Sequence, residues 1–206
     1  MRKSIVSAGA PALAALATIV CVSAAQRPAP PAGPDSARKA YTAADVHFMT
    51  GMIAHHAQAV LMAGWAPSHG ASASLRAMCE RIVVGQGDEI VLMQRWLRDR
   101  HELVPAGDPA HDMMPGMDHN LMPGMLTSQQ LMQLDSARGT EFDRLFLTFM
   151  IQHHMGAITM VNELFGSQGG GEEEIVFRFA SDVYADQTTE IARMNRMLDA
   201  LKRSPS

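Results

Sequence analysis

The sequence predicts an all-α fold, a four-helix bundle built from two repeated helical hairpins, and three observations predict it. Apolar residues recur at three- and four-residue steps through long stretches rich in strong helix formers. One stretch occurs twice: "DVHFMTGMIAHHAQAVLMA" (45–63) aligns without gaps on "DRLFLTFMIQHHMGAITMV" (143–161). A second pair follows each copy, "QGDEIVLMQRWL" (86–97) matching "QTTEIARMNRML" (187–198), so the repeating unit is two helices in succession.

Two segments precede the first helix. Residues 1–25 read as a signal peptide: Arg2 and Lys3 come first, then an apolar run from Ile5 to Val22, then small residues suited to cleavage after Ala24 or Ala25. Residues 26–40 are Pro-rich and read as a flexible linker, not a stop-transfer boundary, and Val20 stands where a lipobox needs a small residue. The expectation is export to the periplasm or beyond the cell, with no membrane association once the leader is cleaved.

The first helix is expected near 42–65, where "TAAD" puts Thr42 at the N-cap with Asp45 three residues on, and Pro67 stops it. A second runs near 72–100. A short helix near 128–137 opens at Thr127. The third long helix, near 140–165, repeats the start signal as "TEFD", with Thr140 and Asp143 in the capping roles, and ends at "GSQGGG" (166–171). The last spans about 172–203. The folded domain is therefore 41–203, with a Met/His-rich connection at 105–127 between the hairpins. Asp45 and Asp143 have a sufficient job as caps.

Charge and cysteine content narrow the function. Of 17 basic residues two lie in the leader, which leaves a mature net charge near −6 against 21 acidic residues. Nucleic-acid binding, which needs a basic surface, is disfavoured. Cys21 lies in the leader, so Cys79 stands alone afterwards and no internal disulfide forms. A buried thiol is expected there.

The histidine pairs carry the chemistry. With His55 at the centre of a helical wheel, Phe48, Met52, Ala59 and Met62 fall within about 60 degrees of it, while His56 lies about 100 degrees away at the boundary. The second copy repeats this with Phe146, Met150, His153, Ala157 and Met160, and His154 takes the place of His56. Met52 precedes His55 and His56 by three and four residues, so thioether and imidazole share a surface and could share an ion. Met150 stands likewise to His153 and His154. Met62 is roughly 10 Å of helix rise from His55 and suits a second ion or the core. Met93 and Met194 could complete a site from across each hairpin. Two adjacent histidine pairs ask the interior to bury four polar rings, which ligation or hydrogen bonding must satisfy. Glu89 and Glu190 are the natural carboxylates to orient them.

Soft thioethers with imidazole select Cu(I), whereas hard cations want oxygen and structural zinc prefers thiolate. The connection "HDMMPGMDHNLMPGM" (111–125) carries His111, Met113, Met114, Met117, His119, Met122 and Met125. Its prolines and glycines keep it from sealing into a helix, so exposed methionines could wrap a soft ion.

The doubled "MIxHH…M" segments, the "PGMLT" lead-in, "FDRLFLTFMIQHHMGAITM" and the "QxxEIxxM" returns together resemble the bacterial family catalogued as domain of unknown function 305, over roughly residues 41–200. The resemblance implies a ferritin-like four-helix bundle, exported in many members, some of which bind copper through Met and His and help cells survive excess copper. Position by position it points to Met52, His55, His56 and Met62, then Met150, His153, His154 and Met160. The first copy departs where Gln58 replaces the glycine seen as Gly156. His47 has only Leu145 opposite it and reads as peripheral.

The expected function is a non-enzymatic binder that buffers, sequesters or passes on copper, as Cu(I), with the metal ion as partner and another copper-handling protein as an open second. A ferritin-like redox enzyme is the alternative. Carboxylate-bridged di-iron bundles need Glu-x-x-His motifs and none occurs here, while a copper oxidase stays open. A structural or signalling bundle would leave the loop methionines without purpose.

Overall fold

A computed structural model describes residues 41–107 and 122–203. The expected signal peptide and linker, and with them His111, Met113, Met114, Met117 and His119, lie outside the described residues. The chain divides into Met1–Arg38 and Lys39–Ser206, and the structure below concerns the second.

Five α-helices and no strand occur among the described residues: α1 (Ala43–Gly64), α2 (Ala73–Asp99), α3 (Ser128–Ser136), α4 (Gly139–Gly166) and α5 (Glu174–Arg203). All lie within about two residues of the bounds expected from capping and periodicity. α1 packs on α2 and α4 on α5, α1 packs on α4 to join the hairpins, and α3 rests on α4. No helix among the described residues is long and apolar enough to cross a membrane.

Local chemistry explains the ends. Thr42 and Asp45 form the expected capping box on α1, and Thr127 with Gln130 forms another on α3. The expected box on α4 does not form. That helix starts one residue earlier at Gly139, with Arg138 at its N-cap and no side-chain cap. Thr140 is therefore inside the first turn, and Asp143 is free to reach elsewhere. Its carboxylate accepts the Ser72 N–H at 3.1 Å, at the start of α2. Asp45 Oδ1 accepts the Gly171 N–H at 2.7 Å, in the loop before α5. Each hairpin thus holds the turn of the other, through carboxylates buried to 0% and 3% exposure.

The apolar core falls into two clusters. One gathers Met62, Met78, Phe142, Phe146, Met150 and Met194. The other gathers Phe48, Met52, Met93, Trp96, Met160 and Val161. The first half of α1 shares a cluster with the second half of α4, and the reverse, so the two helices run antiparallel. His55 and His56 lie between the two halves of α1, and His153 and His154 between those of α4.

A candidate metal centre

The four histidines meet where the hairpins join. All are buried, at 1% exposure or less. The His55 and His153 rings face each other with centroids 3.8 Å apart and planes 37° from parallel. Behind them, on the outer side of each hairpin, stands a carboxylate. His154 Nε2 donates to Glu190 Oε2 at 2.6 Å. His56 Nε2 lies 2.8 Å from Glu89 Oε2, but off the line of a well-formed hydrogen bond. The boundary position expected for His56 is therefore wrong: the helix turns it into the hairpin, where α2 covers it.

Most nitrogens of these four rings lack a partner. Nδ1 of His55, His56, His153 and His154 has no hydrogen-bond partner in each case, and neither does Nε2 of His153. A glancing approach to the His55 backbone offsets little for His153. By contrast the buried His69 uses both nitrogens, Nδ1 with Ser68 and Nε2 with Asp135. A buried polar atom without a partner costs about 1–3 kcal/mol, so the four rings are expensive as they stand. Burial, and then the neighbouring His56, hold His55 down to about 3. Burial and then His55 hold His153 well below the ordinary imidazole value. Both rings are neutral at physiological pH and offer lone pairs.

A strap seals one side. His55 Nε2 donates to the Pro123 carbonyl at 3.0 Å. Gly124 takes φ +76°, a left-handed value that favours glycine, and packs on Gly156 so closely that a Cβ at 156 would overlap the Pro123 carbonyl. Gln58 then grips the chain from α1, with Leu126 N–H reaching Oε1 at 2.8 Å and Nε2 reaching the Leu126 carbonyl at 3.1 Å. Its departure from the glycine of the second copy has a purpose: one helix yields space for the strap and the other ties it.

The sequence profile described as "Domain of unknown function (DUF305)" matches residues 45–198. The chain belongs to this family. No significant match is found among curated proteins. A DUF305 crystal structure from Streptomyces coelicolor is similar, with 26% identity, 79% of this chain and 96% of that chain covered, and a TM-score of 0.64. CopM in its Cu(II)-bound form shares 27% identity over 76% of this chain and 96% of its own, with a TM-score of 0.61. The Cu(I)-bound form of CopM gives 25% identity, the same coverage of both chains and a TM-score of 0.59.

Within the DUF305 fold the methionines are shared between hairpins. Met52 falls in one cluster with Met93 and Met160, and Met150 in the other with Met62 and Met194. Each set draws two members from one hairpin and one from the other, a division that the antiparallel crossing of α1 and α4 imposes. Met122 and Met125 are not exposed on a loop as the sequence suggests. Met125 is 6% exposed, and Met122 is partly buried, with its sulfur above Gly51 beside the Met160 methyl. Among the described residues no three of His, Cys, Asp and Glu are disposed to hold an ion. Cys79 lies elsewhere: the thiol is buried in the first cluster, and burial, then Asp143, pushes it up to about 12.

Sequence reasoning missed the strap, because a carbonyl at Pro123 and a gap at Gly156 leave no residue signature beyond the glycines. It also gave no role to Gln86 and Gln187, each one turn before the carboxylate of its hairpin. Both are buried, and each side-chain oxygen is without a partner.

Proposed function

We propose that this protein is exported and binds copper as Cu(I), which it buffers, sequesters or passes on, and that its two hairpins form a ferritin-like four-helix bundle around the ion. The observation that carries the reading is the set of four buried imidazoles whose Nδ1 atoms have no partner. A bound ion satisfies such atoms, and neutral rings need lose no proton to accept one. His55, His56, His153 and His154 supply nitrogen. Met52 and Met150, one turn away on the same helices, supply the soft sulfur that favours Cu(I) over hard cations and zinc.

CopM, similar over most of the chain, has been solved with Cu(I), with Cu(II) and with silver bound, which supports the choice of metal. The leader read at 1–25 supports export. The absence of a Glu-x-x-His motif favours a non-enzymatic role over a di-iron enzyme. Met93 and Met160 in one core cluster, and Met62 and Met194 in the other, are the further sulfur donors of this reading. His111, Met113, Met114, Met117 and His119 form a separate, weaker set, with Met122 and Met125 at the strap. Another copper-handling protein is the natural recipient.

Titration of the reduced, metal-free protein with Cu(I) against a competing chelator tests this. At least one ion is expected. The His55→Ala/His56→Ala variant loses it, and removal of 111–121, which spares the strap, loses only weaker sites. Tight binding that survives both changes rejects the assignment.

A further inference from the structure

Where the strap closes the α1–α4 side of the histidines, the opposite side is open. A cavity of about 340 Å³ lies between α2 and α5, and Glu89 and Glu190 line it with their far sides against His56 and His154. Gln86 and Gln187 line it too, at 5% and 4% exposure, and Oε1 of each is buried without a partner. The two glutamines occupy equivalent positions of the repeat, so the same unmet acceptor occurs twice around one space. Asp186 adds a third carboxylate to the wall, and Arg81 and Arg193 stand among the lining residues. Burial, then Glu89 and Glu190, push the Asp186 carboxyl upward, the mark of a negative field at this spot.

We propose that this cavity is the port through which the cation reaches the buried histidines, with the Gln86 and Gln187 amide oxygens and the Glu89 and Glu190 carboxylates as a transit site of oxygen donors. Oxygen holds a soft monovalent ion weakly. A weak stop before a tight one suits transit, since each step inward then runs downhill. Three carboxylates, Glu89, Asp186 and Glu190, against two guanidiniums leave the lining with a small net negative charge, which favours cations. The carboxylates already touch the outer histidines, so the ion moves from oxygen to nitrogen without crossing apolar core. The port rests on the copper reading above, and the test separates the two.

Gly85 lines the cavity, and a Cβ built there meets nothing within 4 Å, so Gly85→Phe puts a bulky ring at the cavity wall with open space for its first carbon. Cu(I), presented to the full chain as its acetonitrile complex, is scavenged with bicinchoninate at timed intervals. Loading at least ten-fold slower in Gly85→Phe, with unchanged equilibrium affinity, is the expected result. Gln86→Leu/Gln187→Leu, which keeps volume and removes the unmet oxygens, is expected to load more slowly with an undiminished melting temperature, and it serves as the second variant should Gly85→Phe lose its far-UV helix signal. Native loading rates in a folded variant overturn the port and leave the binder standing. No Cu(I) uptake by the native chain at equilibrium overturns both.

Discussion

Asp143, in the first turn of α4, accepts the backbone N–H of Ser72 at 3.1 Å, so a carboxylate of the second hairpin fixes the start of α2 in the first. The tie is charge-assisted and nearly solvent-free, a kind worth about 1.5–3 kcal/mol. Asp143→Ala is expected to lose an amount of that order in urea unfolding, while Asp143→Asn, which keeps an acceptor, loses less. Asp45→Ala should cost more, because it removes the tie to Gly171 and also the carboxylate half of the α1 capping box, which accepts the Thr42 N–H and hydroxyl, while the Thr42 cap itself stays. Equal, sub-kilocalorie effects at both positions would contradict the cross-tie.

Metal-free protein should weaken on mild acidification. His55 and His153, which face each other and His154, with His56 also beside them, are held below the usual 6.5. The unfolded chain therefore takes up protons that the fold excludes. The two neutral rings cost nothing above pH 6.5, and stability falls as pH drops below it, by up to about 1.4 kcal/mol per pH unit for each ring, a fall that for His55 continues to about 3. Asp186, pushed the other way, acts in the opposite sense. Urea midpoints at pH 7.0 and 5.5 check the balance, and a flat profile would count against neutral buried rings.

The two outer carboxylates are not equivalent. Glu190 makes a direct 2.6 Å hydrogen bond to His154 Nε2, which fixes that ring with Nδ1 as the free lone pair. Glu190→Gln is expected to lower Cu(I) affinity about 10- to 100-fold, the usual effect of losing a carboxylate behind a histidine ligand. Glu89→Gln, where the contact is bent, should cost less. Chelator competition on the two variants measures the difference.

Gly156→Ala tests the strap. The added methyl overlaps Pro123, so the segment must lift and His55 Nε2 loses its acceptor. A loss of about 1–3 kcal/mol is expected from the overpacking. Gln58→Ala, which strands the Leu126 N–H and carbonyl, should cost a similar amount. Thermal unfolding of the two variants decides, and native melting temperatures would show that the strap carries no weight.

Much of this structure could be read in advance, for a reason that particular residues show. The repeat placed Met52, His55 and Met62 on one helix face and their counterparts on another, and helical periodicity is local, so the inward aim of these side chains followed. Carboxylates one hairpin away at Glu89 and Glu190 were legible because the repeat doubled the signal. Contacts between hairpins were not. The capping role assigned to Asp143 failed because Ser72 competed for it across 71 positions of chain. The grouping of Met150 with Met62 rather than Met52 depends on the antiparallel crossing, which nothing within either copy encodes. Met125 read as exposed because its proline and glycine neighbours suit a loop. A loop can still be pressed into a groove cut by one missing side chain at Gly156.

The face-to-face rings of His55 and His153 come from different halves of a doubled chain, and neither half owns the space between them. A lone hairpin would carry its ligands and lack the centre. Two copies of one hairpin, related by a two-fold axis through that ring pair, would rebuild it from a shorter polypeptide. Fusion into a single chain then frees one half to diverge, as the tethering glutamine and the accommodating glycine already have.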